Sequence, residues 1–466
     1  MLSTLLFAST LLPGARVSLT ALPQLARTAP PILVASSATA RRVPEPLLPL
    51  APTATFLVLH EVLCRSTLRA GIKFPPTIIG MVGGFVILCL LPRKTSKRLE
   101  EWFDPANRLL RDWIAATFSP GFAVLPITMP VVAAADLGVF LLLAAAGFVV
   151  TVGTTAGIAT ALTPRRLSAS AAGRTDMEDT DLSTPDAGPP PPPPNPFPPV
   201  QQAVLVGGAL LAAIAHVLGW GGTLTLNAAL LCTTLGSFSL ATTLCPPAVK
   251  VVLHPFVTCS LCTVGGSALL GAATGLGWRG ALGVYKAGAG RLLGALMGPT
   301  VLSFAFQLYR YRAQLRRRGV QIVGTALSGS FVGMLTTAVA VRVCRLGSPA
   351  LRLALISRST TTAFAVEVCK LLGAEPPSLG LLAAFVTGLL AFPFGKAVLG
   401  AFGVTDPAVR GLALGGTAHG GGLLTLSDEP EAFPFAAVMM NMAGVCAVCL
   451  VSAPPLRKLL VSIALG

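Results

Sequence analysis

The sequence predicts an all-α fold, a polytopic bundle of membrane-spanning helices, and three observations predict it. Hydrophobic residues make up 53% of the 466 and charged residues only 11%, whereas a soluble globular domain carries roughly 25% charged residues. Apolar runs of about 18 residues or more recur along the chain, long enough to cross a hydrocarbon core of roughly 30 Å as helices. Segments of about ten residues with alternating polarity, the mark of a membrane β-barrel, are absent. About twelve spans fit, in two bundles of about four and eight, with broken or re-entrant helices expected in the C-terminal half.

The elements follow in order. Residues 1–50 carry Arg16, Arg27, Arg41 and Arg42, no acid before Glu45, and much Ser, Thr and Ala. That is the composition of a plastid transit peptide, and its run LLFASTLLPGA also reads as the apolar region of a bipartite presequence. Four spans are expected over residues 51–164, around 53–68, 76–91, 113–134 and 137–162. Residues 165–199, RRLSASAAGRTDMEDTDLSTPDAGPPPPPPNPFPP, are polar and acidic and end in polyproline, so they form an extended linker between two membrane domains. The remaining spans fill residues 200–466.

The net charge of +16 does not point to nucleic acid. The cations sit in short connections between apolar runs, with no basic face interleaved with aromatics. They read as topology signals. With four spans in the first group, the loop PRKTSKRLEEW (92–102) and Arg165 and Arg166 fall on one side of the membrane; four more spans bring YRYRAQLRRRG (309–319) to that same side, as the positive-inside rule requires.

Ten cysteines, mostly within apolar runs, give no disulfide framework. Cys259/Cys262 and Cys446/Cys449 form CxxC pairs, but in helical apolar stretches cysteine behaves as a small hydrophobe. His60, His216, His254 and His419 have no metal-ligand spacing, so no metal is expected. FGKAVLG (394–400) imitates part of a phosphate loop but has Ala397 after Lys396, and the earlier glycine is misplaced. Neither a cofactor nor enzymatic catalysis is expected.

Ionisable groups within a span cost roughly 2.5–3.5 kcal/mol on insertion scales and mark pathways or sites. Two places stand out. In LISRSTTTAFAVEVCK, Ser357, Arg358, Ser359, Thr360, Thr361 and Thr362 interrupt an apolar stretch and Glu367 follows. A half-helix starting there offers free N–H groups and a positive dipole end to a carboxylate, and Arg358 adds a cation. In GGTAHGGG, Gly415, Gly416, Gly420, Gly421 and Gly422 permit close backbone approach or unwinding, Thr417 supplies a hydroxyl, and His419 titrates near neutral pH. Asn441 is a further polar group able to bind a ligand. The same features have bland readings: hydroxyls bonded to the preceding turn, an arginine reaching an interface, and glycines serving tight packing.

Five blocks carry a resemblance: LLGALMGPTVLSFAFQLYR (292–310), SRSTTTAFAVEVCKLLG (357–373), DPAVRGLALGGTAHGGG (406–422), EAFPFAAVMMNMAG (431–444) and APPLRKLL (453–460). In this order they resemble the LrgB family of bacterial membrane proteins. FPPTIIGMVGGFVILCLL (74–91) and ATFSPGFAVLPI (116–127) resemble the holin-like LrgA family. The resemblance implies an LrgA-like membrane domain over 51–164 and an LrgB-like transport domain over 200–466. Such a fusion behind a transit peptide resembles plastid carriers of plants and algae. It implies a multi-pass protein of the chloroplast inner envelope that exports glycolate and returns glycerate in photorespiration. Two departures from the family pattern stand out: Ser357-Arg358 replaces its Pro-Lys, and an arginine expected after the His-Gly block is lost.

On this reading Arg358, Ser359, Thr360, Thr361, Thr362, Thr417, His419 and Asn441 bind a small carboxylate, and Glu367 or His419 carries a coupled proton. The partners are the carboxylates and the lipid bilayer, and small residues such as Gly80, Gly83 and Gly84 permit packing between copies of the chain. The alternatives are a holin-like or regulatory pore and a carrier of another monocarboxylate such as pyruvate.

Overall fold

In the computed structural model, residues 49–72, 74–128, 134–163, 196–246, 249–250 and 253–466 are described. The expected presequence and most of the expected linker lie outside them. Among the described residues the secondary structure is helical, with no strand.

Before residues 165–195, most of the stretch expected as a linker, run α1 (Leu50–Arg69), α2 (Pro76–Leu90), α3 (Arg93–Asp112), α4 (Ile114–Ala123), α5 (Leu125–Thr128) and α6 (Ala134–Ala161). After it come α7 (Pro199–Val217), α8 (Gly222–Leu244), α9 (Pro255–Ala273), α10 (Gly277–Ala287), α11 (Ala289–Ala295), α12 (Met297–Arg310) and α13 (Arg312–Val343). The chain ends with α14 (Pro349–Ile356), α15 (Thr362–Leu372), α16 (Ser378–Ala401), α17 (Pro407–Thr425), α18 (Phe433–Ser452) and α19 (Pro454–Leu465). Proline opens α2, α7, α9, α14, α17 and α19, where its fixed φ suits a helix and its missing N–H has no intrahelical role. Ser348 and Asp406 cap α14 and α17 by accepting from the Leu351 and Val409 N–H groups at 3.4 and 2.9 Å.

Eight helical segments among the described residues are long and apolar enough to cross a membrane, against the twelve or so expected. The difference lies in segments that are interrupted, short or charged: α1 is a continuous helix of 20 residues but carries Glu61, Arg65 and Arg69. The stretch expected as one span from Trp113 divides at Val124 into α4 and α5; α14 and α15 divide another; α17 breaks within itself; α2 is only 15 residues long.

One expectation is corrected. Residues 92–102, read as a loop, begin the helix α3, whose Ser96, Phe103, Ala106 and Leu110 are buried at helical spacing. Its opposite face is charged. Arg310, at the end of α12, donates to Glu100 and Asp104, each at 3.1 Å. Gln321, in the second turn beyond the cationic start of α13, donates to the Ala159 carbonyl (2.9 Å) and Thr163 hydroxyl (3.0 Å) at the end of α6. The basic stretches of α3 and of the α12–α13 junction therefore lie at one end of the bundle, the end where α6 finishes.

Helices on both sides of the linker share their cores. Ile78, Phe118 and Phe140 cluster with Phe304, Ile356 and Phe364, while Phe148 and Val152 cluster with Leu412, Leu414 and Val438. In particular, α6 packs directly on α13, α16 and α17.

Candidate functional site: two interrupted helices around a buried arginine

α17 is re-entrant. Its backbone leaves helical values at His419 (φ 41°, ψ −115°), and the chain reverses there. Gly422 returns so close to Leu414 that a Cβ on it would stand 2.2 Å from the Leu414 carbonyl oxygen. At the base of the hairpin, Arg410 Nε and Nη2 each donate to the Glu429 carboxylate at 2.7 Å, and Lys396 of α16 reaches Asp428 at 2.6 Å.

The glycines let these arms seat. On the outgoing arm, a Cβ on Gly415 would stand 2.5 Å from the Ala436 carbonyl oxygen of α18, and one on Gly416 2.8 Å from Met439. On the return arm, a Cβ on Gly421 would stand 2.0 Å from the Gly388 carbonyl oxygen of α16. Gly420 alone of the five faces open space. The glycines expected to unwind the helix thus keep helical backbone and allow close approach, because the unusual conformation is taken by His419 itself.

The second interruption is Ser357–Thr361, between α14 and α15. Ser357 Oγ donates to the Ala354 carbonyl at 2.7 Å and lies 3.5 Å from Cys369 Sγ, so α15 folds back beside the break. Thr360 donates to the Ser357 carbonyl (2.6 Å), and Thr361 to the Met440 carbonyl of α18 (3.0 Å). These hydroxyls are spent on the backbone. Thr362 is half-buried at the first position of α15, whose first turn has no side-chain cap. The two interruptions meet: His419 Nε2 lies 3.4 Å from the Arg358 carbonyl oxygen.

Arg358 fills the junction at 1% exposure. Its Nε donates to Thr337 of α13 at 3.1 Å and its Nη2 to Thr151 of α6 at 2.7 Å. Nη1 is buried and has no partner among the described residues. No carboxylate among the described residues forms an ion pair with it. A buried charge left uncompensated costs several kcal/mol, and a guanidinium with a free N–H edge can bind an anion through charge-assisted hydrogen bonds. Among the expected site residues, two more buried polar atoms lack a partner within the described structure: Thr417 Oγ1 and Asn441 Oδ1. Asn441 donates its amide hydrogens toward Ala437 O (3.2 Å) and Gln307 Oε1 (3.3 Å), leaving its carbonyl free to accept.

The structure thus brings Arg358 and His419 into contact and places Ser359, Thr417 and Asn441 on the elements around them. Glu367 is not part of the break: it pairs with Lys370 of its own helix at 2.7 Å. A separate cleft of about 230 Å³ is lined by Thr117, Lys286, Arg291 and Ser378 among others, and by none of the expected site residues. Among the described residues no three His, Cys, Asp or Glu side chains are grouped to hold a metal. Sequence reasoning missed Thr151, Thr337 and Gly147. Their signal was a stripe at four-residue spacing, Gly147-Thr151-Thr155 on α6, facing Gly329 and Gly333 of α13.

Fold and site define a class, a polytopic helical membrane protein in which two interrupted helices meet at a buried cation. Residues 234–456 match the LrgB-like family, and the chain belongs to that family. Over 417 residues it is 28% identical to plastidal glycolate/glycerate translocator 1, chloroplastic, of Arabidopsis thaliana, across 87% of this chain and 79% of that protein. It is 30% identical over 168 residues to the uncharacterized protein YwbG of Bacillus subtilis (strain 168), across 35% of this chain and 72% of that one. No solved structure matches the chain. Arg358 and His419 lie within the family match; Gly147 and Thr151 lie before it.

Proposed function

We propose that this chain is a secondary transporter of small 2-hydroxycarboxylates, exchanging glycolate for glycerate across the chloroplast inner envelope in photorespiration. One observation carries the reading: Arg358 is a buried cation with no acid, an unpartnered N–H edge and a position where two helix interruptions meet. Discontinuous helices around a central site are how many carriers hold anions within a membrane. The relative in Arabidopsis thaliana, whose name assigns it glycolate and glycerate, aligns with 87% of this chain and so supports the choice of substrate.

In this reading Arg358 and the uncapped start of α15 take the carboxylate. Thr417, Ser359 and the Asn441 carbonyl serve the 2-hydroxyl, while Thr360, Thr361 and Thr362 shape the turn that presents Arg358. One-for-one exchange of monoanions moves no net charge. Where a proton accompanies the anion, His419 is the group assigned to it, since Glu367 is engaged by Lys370.

The test is uptake of labelled glycolate into liposomes holding the purified chain, either empty or preloaded with glycerate. Saturable uptake accelerated by internal glycerate is expected. Unsaturable passage indifferent to internal substrate would make the protein a pore, and saturable uptake displaced by pyruvate but not by glycerate would assign another substrate.

A further inference from the structure

We infer that Thr151, on the helix α6 that precedes the linker, is a substrate-contacting specificity residue, so that the site is completed only by the N-terminal part of the chain. The inference rests on the carrier reading above and extends it beyond the family-matched residues.

Of the two hydroxyls bonded to Arg358, only one has a proton to give. Thr337 accepts from Arg358 Nε and donates to the Gly333 carbonyl at 2.6 Å. Thr151 accepts from Arg358 Nη2 at 2.7 Å and donates to no group among the described residues, although it is 2% exposed. A buried hydroxyl normally uses its proton. Here it stands beside the unpartnered Nη1 of the same guanidinium. The space next to it is kept open by a missing side chain. A Cβ on Gly333 would stand 3.4 Å from Ser359 Oγ and 3.8 Å from Thr151 Oγ1, in ordinary contact with both. Thr151 Oγ1 and Ser359 Oγ thus face the same space over Gly333, and Thr151 is bonded to the Arg358 guanidinium, with the cation suited to a carboxylate and the hydroxyls to the adjacent 2-hydroxyl. A site that hydrogen-bonds a substrate hydroxyl rejects the analogue lacking it, because the site's own polar groups are then left unpaired.

The experiment compares labelled glycolate uptake, with acetate as competitor, for the full chain and its Thr151→Val and Thr151→Ser variants in liposomes. The wild type is expected to prefer glycolate to acetate. Thr151→Val is expected to raise the glycolate KM roughly tenfold or more while changing acetate inhibition little, so that the preference shrinks; Thr151→Ser restores it. A general packing defect would lower uptake without moving the glycolate-to-acetate ratio. Wild-type KM and ratio in Thr151→Val overturn the assignment and leave the carrier reading standing. Absence of saturable uptake in the wild type overturns both. Should Thr151→Val fail to fold, Gly333→Ala decides: the added methyl is expected to raise KM for glycerate, the larger substrate, more than for glycolate, and unchanged values for both overturn the assignment.

Discussion

The guanidinium of Arg358 lies flat against the α-carbon of Gly147, so close that a methyl group there would stand 2.5 Å from its Cζ and 2.6 Å from Nη2. Together with the Arg358 Nη2–Thr151 hydrogen bond, this contact joins the break in the C-terminal half to α6. Gly147→Ala is therefore expected to push the guanidinium off Thr151 and cut glycolate uptake by tenfold or more, with a melting temperature lowered by the usual cost of overpacking, about 1–3 kcal/mol. Gly138, on the same helix, has no atom within 4 Å of its Cβ position. Gly138→Ala is the matched control and is expected to transport normally; equal uptake by the two variants would remove Gly147 from the site.

Arg358 itself separates function from stability. A buried ion pair broken by removal of one partner destabilises a protein, but Arg358 has no ionic partner to strand among the described residues. Arg358→Met keeps much of its volume and removes an uncompensated charge, so the variant is expected to melt no lower than the wild type while losing saturable uptake. Added glycolate is expected to raise the melting temperature of the wild type, since a ligand that binds only the folded state stabilises it, and to leave Arg358→Met unmoved. Arg358→Lys keeps charge but loses the planar fork, and its KM is expected to rise. A large drop in melting temperature for Arg358→Met would mean that the arginine is chiefly structural.

The backbone of His419 supplies a different test. Its φ of 41° is positive, a region that costs an L-residue roughly 1–2 kcal/mol and glycine almost nothing. Both His419→Gly and His419→Ala lose the ring, so their difference isolates the backbone. The glycine variant is expected to be the more stable by about 1 kcal/mol, read from chemical or thermal unfolding in detergent, and both are expected to lose uptake. Equal stability would mean that the reversal at residue 419 relaxes in solution.

Both interruptions were legible because polar and glycine-rich residues stood out against apolar surroundings: Ser357–Thr362 and Gly415–Gly422 are poor choices for an uninterrupted span. The partners of the break were not legible. Thr151 sits within an apolar run as an ordinary span hydroxyl, and the bond that distinguishes it comes from a residue 207 positions away. The glycines were visible but their role was not, since close approach depends on which carbonyl faces them. α3 was mistaken for a loop because its charges drew attention away from the helical spacing of Ser96, Phe103, Ala106 and Leu110. Glu367 and Lys370 stand at i,i+3 spacing in the sequence, but that spacing alone does not fix the ion pair they form.

The base of the α17 hairpin makes the fold sensitive to acid. Glu429 titrates below its ordinary value because Arg410 donates hydrogen bonds to it, and Asp428 below its own because Lys396 does. Both carboxylates are thus bound more tightly as anions in the folded state. For a depressed pKa the stabilisation is fully present above the unfolded value, roughly 4, and is lost as pH falls through the folded value. The melting temperature is therefore expected to be flat from neutral pH to about pH 5 and to fall between about pH 5 and 3. Glu429→Gln removes the bidentate ionic contact, lowering stability at neutral pH and flattening the acid limb. Asp428→Asn is expected to do less, because that side chain is 70% exposed and its pair is screened by water. A Glu429→Gln profile parallel to the wild type across pH 5 to 3 would show that other carboxylates set the acid limb, and that the hairpin is held by the seating of Gly415 on α18 and Gly421 on α16 rather than by the pair at its base.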